Sequence, residues 1–214
     1  MRLTYNNYWR KSGLKGKWGN IYLEQLLKHK PKKILEIGVF CGVTARNTCN
    51  LLNDIHKGNF RYVGIDLFGS KRLQKDEIEP NFLKDQKFSN PFKNIYYNFI
   101  LRENLNSLQS VSKFLRKYHK HIDLIKGDTN LVLKEISILD VDFVFLDGGH
   151  SYTTVTKDLE VVYQNLKGKK KVILCDDYGT KSFIPEVKDA VDNFIKNNNL
   201  NIEIIEDRFA KIIT

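Results

Sequence analysis

Two short apolar runs in this chain end in acids. Phe143–Leu146 stops at Asp147 and opens into Gly148, Gly149 and His150, and Val172–Cys175 stops at the pair Asp176–Asp177. Strands buried on both faces read as continuous apolar runs, and open α/β sheets bind ligands at the carboxyl ends of their strands. If these runs are neighbouring strands, three carboxylates and an imidazole share one crevice. Carboxylates held so close repel, which raises a pKa or recruits a cation. An all-oxygen ligand set favours a hard ion such as Mg²⁺ over zinc. His150 is then available as a general base near neutral pH. Its alternative reading is a histidine that caps or packs the start of the next helix.

Three further acids close earlier strands. After Lys33–Ile37 the turn reads Glu36-x-Gly38-x-x-x-Gly42. A dinucleotide fingerprint would need G-x-G-x-x-G, so a nicotinamide oxidoreductase is disfavoured. Gly38 lets backbone approach a ligand, Gly42 eases helix–strand packing, and Glu36 suits a cationic amino group. An ordinary β-to-α turn also holds two glycines. Asp66, at the end of the second strand, is placed for both hydroxyls of a ribose, or else is a capping or loop acid. Asp128, after the third, is placed for an adenine amino group, or else caps the following helix. Together the acids argue for an adenosyl ligand lying across the sheet edge.

The elements that must position these residues alternate. Strands are predicted at Lys33–Ile37, Tyr62–Ile65, Ile122–Ile125, Phe143–Leu146 and Val172–Cys175. Helices are predicted over Ile21–Leu27, Thr44–Leu52, a stretch marked by Leu105, Leu108, Leu115 and Tyr118, and Leu131–Ile136. The clearest carries Val155, Leu159, Val162 and Leu166 at helical spacing. Another follows from Pro185 to Ile195, with proline suitably placed near its start. Ile202–Ile205 and Phe209–Ile213 lie too close together for another βαβ unit and read as an antiparallel hairpin. The pattern is an α/β, doubly wound, mostly parallel sheet with a C-terminal antiparallel hairpin. Residues 67–103 break it and read as an insertion or a substrate lid.

The chain of 214 residues carries a net charge of +10. Residues 1–33 hold nine Lys or Arg against the single acid Glu24, so +8 of that charge sits in the first 33 positions. Such an arm can meet nucleic acid or an anionic substrate, and it can equally be a solvated face. Tyr5, Tyr8, Trp9 and Trp18 lie among these charges, able to stack on bases or to pin the arm to the domain. No stretch approaches a membrane span, the start lacks a signal peptide's apolar region, and Cys41, Cys49 and Cys175 read as thiols of a reducing compartment. A cytoplasmic protein without membrane contact is expected. His29, His56, His119 and His121, in lysine-rich or polar contexts, are expected at the surface. The expected division is an arm and helix over 1–30 and a domain over 31–214.

The motifs E-I-G-V-F-C-G, G-I-D, G-D-T, L-D-G-G-H-S-Y and D-D-Y-G, followed by I-P-E-V-K-D-A-V-D-N-F, resemble class I S-adenosylmethionine-dependent methyltransferases. More narrowly they resemble the metal-dependent sugar O-methyltransferases of the macrocin, mycinamicin and novobiocin pathways. The resemblance covers about residues 30–214 and implies a Rossmann-like class I methyltransferase fold. It implies that Glu36, Gly38 and Gly42 line the methionine part of S-adenosylmethionine, that Asp66 holds its ribose, and that Asp128 and Thr129 sit near the adenine. It further implies that Asp147, Asp176 and Asp177 bind Mg²⁺ and that His150 takes the acceptor's hydroxyl proton. The implied acceptor is a sugar, a glycan or another vicinal-diol small molecule. RNA methylation through the basic arm and a non-catalytic cofactor-binding module are the alternatives, and a homo-oligomer is left open.

Overall fold

The computed structural model describes residues 3–69, 87–180 and 184–214. The first half runs α1 (Gly16–His29), β1 (Lys33–Ile37), α2 (Val43–His56), β2 (Arg61–Asp66) and α3 (Pro91–Ile95), which continues into a π-helical turn (Tyr96–Leu101). Next come α4 (Leu108–Phe114), a 3-10 turn (Arg116–Tyr118), β3 (Ile122–Lys126), α5 (Thr129–Glu135) and β4 (Phe143–Leu146). The rest is α6 (Tyr152–Leu166), β5 (Val172–Cys175), α7 (Pro185–Asn198), β6 (Ile202–Ile205) and β7 (Phe209–Ile213).

The strands form one sheet in the order β3-β2-β1-β4-β5-β7-β6. The first five are parallel, and β7 is inserted antiparallel between β5 and β6. Strand order reverses between β1 and β4, and that switch point opens a crevice at the carboxyl edge. The central strands are apolar throughout because both faces are covered. Ile34, Phe143, Phe145 and Leu174 pack under α1, α2 and α4. Leu35, Ile37, Val144, Leu146 and Ile173 pack under α5, α6 and α7. The doubly wound sheet and its C-terminal hairpin are as the sequence predicted.

Helix bounds differ more than strand bounds. α1 begins at Gly16, five residues before the predicted start, without a side-chain cap to announce it. α3 lies in a stretch read as patternless; its signal was local, with the Asn90 side chain accepting from the Phe92 N–H and Pro91 in the first turn. Much of the predicted insertion, residues 70–86, lies outside the described residues. The histidines need a correction, for only His119 is exposed. His121 stacks on Phe60 with ring centroids 4.9 Å apart, His29 tilts against Phe143, and the His56 Nε2 lies 3.0 Å from the Pro31 carbonyl. Polar chain neighbours say little about an amphipathic ring whose apolar body packs inward.

The N-terminal segment packs along α2. Tyr5 and Leu14 are buried, the Tyr5 N–H donates to Asn20, and the Asn6 N–H donates to Asn47. Arg10 turns inward, donating to the carbonyls of Cys41 and Leu105 and to the Ser110 hydroxyl while its guanidinium lies over the Phe114 ring. No helix among the described residues is long and apolar enough to cross a membrane.

Candidate active site

The turn after β1 and the end of β4 meet at the switch point. Gly38 has φ +91°, and a Cβ there would stand 1.9 Å from the Asp147 carbonyl oxygen, so only glycine fits this crossing. Phe40, at φ +51°, is a bulky residue in the left-handed region. Asp66 holds it there: one carboxylate oxygen accepts the Phe40 N–H at 2.7 Å and the other accepts the Phe68 N–H at 2.6 Å. Asp66 thus ties the ends of β1 and β2 together. Asp128 caps α5, accepting the Asn130 N–H at 2.9 Å, and Thr129 beside it is buried. Capping was the alternative reading for Asp128, and it is the contact the structure displays.

Glu36 is fully buried in the apolar sheet. Its Oε2 accepts the Tyr62 hydroxyl at 2.9 Å, while Oε1 has no hydrogen-bond partner among the described residues. Burial pushes this carboxyl up to about 8 against the Tyr62 hydrogen bond, and the Asp66 charge adds to the rise. A buried acceptor left unmatched is costly. Beside a turn that brings backbone close, it fits a cationic ligand group such as the amino-acid end of S-adenosylmethionine.

The acids after β4 and β5 do converge, but not as one equivalent set. Ligand atoms of Asp147, His150 and Asp177 all lie within 4.8 Å of one another. The His150 Nε2 is 3.3 Å from an Asp177 carboxylate oxygen. Asp176 lines the same crevice and has a partner of its own. It is buried, and its two oxygens accept the Nε and one terminal nitrogen of Arg208, each at 2.7 Å. Arg208 also reaches to 3.3 Å from Asp177.

Electrostatics follow this division. Burial, then the charges of Asp176 and Asp177, drive the Asp147 carboxyl well above the usual carboxylate range. Burial likewise raises Asp176 despite the opposing hydrogen bonds from Arg208. Burial would raise Asp177 too, yet the His150 hydrogen bond and the Arg208 charge outweigh it and hold that group low. The Asp147 and Asp177 carboxylates converge on one point as oxygen donors that a divalent cation fits, with the His150 imidazole beside them. A cation there would relieve the repulsion felt by Asp147.

Two residues of this site, Gly13 and Arg208, left no mark in the sequence, while Tyr5 is one of the aromatics expected either to stack on bases or to pin the arm. Gly13 lies over Asp147, a Cβ on it falling 3.8 Å from an Asp147 carboxylate oxygen, so the N-terminal segment forms a wall of the crevice. Tyr5 stands beside it, its hydroxyl 2.9 Å from the Ser12 hydroxyl and 2.8 Å from that of Thr44. Arg208 comes from the β6–β7 turn, 31 positions after Asp177. Neither contact has a periodic or motif signal, because each joins segments remote along the chain.

Known proteins share the domain and the fold. Residues 35–178 match the family model described as a methyltransferase domain, while the curated proteins give no match. Solved structures similar to this chain include the SAH-bound Podospora anserina methyltransferase PaMTH1, at 15% identity and a TM-score of 0.59 over 93% of this chain and 79% of that one. The O-methyltransferase NovP matches at 16% identity and a TM-score of 0.59 over 92% and 80% of the two chains. Apo CalS11, described as a TDP-rhamnose 3'-O-methyltransferase, matches at 16% identity and a TM-score of 0.54 over 90% and 77%. The matched span runs from β1 through the acid pair after β5, and with it this chain belongs to the methyltransferase-domain family and carries the class I S-adenosylmethionine-dependent methyltransferase fold.

Proposed function

We propose that this protein is an S-adenosylmethionine- and Mg²⁺-dependent O-methyltransferase whose acceptor is a hydroxyl of a sugar, a glycan or another vicinal-diol molecule. The observation that supports it best is the convergence of Asp147, His150 and Asp177 at the carboxyl edge of β4 and β5, beside the Gly38 turn. The sugar reading draws on the likeness to CalS11, whose described acceptor is a sugar nucleotide.

In this reading S-adenosylmethionine, when bound, would supply an electrophilic methyl group, and a cation held by Asp147 and Asp177 would lower the pKa of the acceptor hydroxyl. Glu36 and the Gly38–Gly42 turn hold the amino-acid end of the cosubstrate, with Asp66, Asp128 and Thr129 shaping the ribose and adenine side. Asp147 and Asp177 hold the cation and so orient the acceptor. His150 accepts the hydroxyl proton at Nε2, and Asp177, 3.3 Å away, stabilises the imidazolium that results. The carbon–sulfur bond breaks as the oxygen–carbon bond forms, giving S-adenosylhomocysteine and a methyl ether. Beyond positioning, this chemistry asks for only one proton transfer. The N-terminal segment, with Gly13 over Asp147, walls the acceptor side.

Calorimetric titration with S-adenosylhomocysteine, with and without Mg²⁺, tests the cosubstrate. Screening sugar nucleotides for methyl transfer then tests the acceptor. His150→Ala is expected to bind S-adenosylhomocysteine as the parent does while turnover falls by about 10²–10⁴-fold; unchanged turnover would remove His150 as the base.

A further inference from the structure

We infer that Arg208 is a resident counter-ion that withholds Asp176 from the metal, leaving Asp147 and Asp177 as the carboxylate ligands and setting how tightly the site takes a divalent cation. The inference rests on the proposed metal dependence and concerns a residue that no motif marks.

The two nitrogens at 2.7 Å form a charge-assisted fork on Asp176, roughly twice as strong as a neutral pair of hydrogen bonds. A third interaction uses the Asp177 N–H, which donates to an Asp176 oxygen at 2.8 Å. Asp176 therefore has its negative charge matched by two direct hydrogen bonds, whereas Arg208 reaches Asp147 only as a nearby charge.

The delivery of Arg208 is built at some cost. Glu206 and Asp207 are both left-handed, at φ +53° and +52°, a conformation hairpin turns usually give to Asn or Gly. Contacts with the β5 exit loop offset that strain. The Asp207 carboxylate accepts from the Thr180 N–H at 3.0 Å and from its hydroxyl at 2.8 Å, and the Tyr178 N–H donates to the Arg208 carbonyl at 2.9 Å. Gly179 permits the approach, since a Cβ there would lie 1.9 Å from the Asp207 carbonyl oxygen. Lys17 at the start of α1 pairs with Glu206 at 2.5 Å, and the Trp18 ring lies 5.6 Å from the guanidinium. Five contacts thus hold the Glu206–Arg208 turn, and with it the guanidinium, against the acid pair.

The test is Mn²⁺ binding, read by the loss of the free-ion electron paramagnetic resonance signal in the full chain, independent of turnover. Arg208→Gln is expected to bind Mn²⁺ at least about tenfold more tightly, since it frees a carboxylate and removes a positive charge. The double variant Asp176→Asn/Arg208→Gln removes the pair without changing net charge and leaves no buried ion alone. It is expected to bind Mn²⁺ within about threefold of the parent. Should the double variant lose about thirtyfold or more, Asp176 is a ligand and the inference falls while the metal reading stands. Equal affinity in the parent and Arg208→Gln also overturns it. No Mn²⁺ binding in any of the three proteins overturns the metal reading itself.

Discussion

Glu36 is a carboxyl fully buried in a parallel strand with one oxygen unmatched among the described residues. Its folded pKa of about 8 lies above the ordinary 4.5. The protonated acid is thus favoured by folding, and this contribution to stability is complete below about pH 4.5 and is lost as pH rises towards 8. Ligand-free protein should lose up to about 1.4 kcal/mol per pH unit in that window through this residue. Denaturant melts of the parent and Glu36→Gln would show it as a slope that the variant lacks. A cationic ligand should reverse the trend, so that S-adenosylmethionine binds with release of a proton and more tightly as pH rises towards 8. Tyr62→Phe removes the one donor seen on Glu36 and should cost about 1–2 kcal/mol of stability, measurable in the same melts.

At the scale of elements, the turn after β1 and the end of β4 meet with no room for a side chain. Gly38→Ala must move the Asp147 backbone or leave the left-handed region, and a loss of roughly 3 kcal/mol or more is expected. Gly13→Ala meets only ordinary contact with Asp147 and should leave the melting midpoint nearly unchanged while narrowing the crevice. Comparing the two melts separates a structural glycine from a wall glycine. The strands were legible because double burial writes itself as apolar runs, and an acid at the end of a run marked the sheet edge. Asp147, His150, Asp176 and Asp177 could therefore be placed at one crevice from sequence. The partner of Asp176 could not, because Arg208 belongs to a turn whose pairing depends on β7 entering between β5 and β6. Helix starts were obscure for a local reason: α1 has no capping side chain, and α3 announces itself only through Asn90 and Pro91.

Across the whole molecule the site is assembled from distant parts of the chain. Arg10 bonds the Leu105 carbonyl 95 positions away, and Lys17 pairs with Glu206 across 189. The basic charge that stands out near the N-terminus is partly spent inward, on carbonyls and aromatic faces around the crevice. Tyr5→Ala, which cuts the ties to Ser12 and Thr44, should loosen this wall and weaken acceptor binding more than cosubstrate binding, as a rise in acceptor KM would show. The docking of α1 on the β6–β7 turn has a kinetic consequence as well. Lys17 and Glu206 are 189 positions apart, and contacts of such long range form late because loop closure must precede them, so refolding should pass through a species with its sheet formed and Trp18 not yet seated beneath Arg208. Trp18, beneath Arg208, is a natural clock for that last event. In a Trp9→Phe background its fluorescence should settle more slowly than the far-ultraviolet dichroism of the sheet and helices.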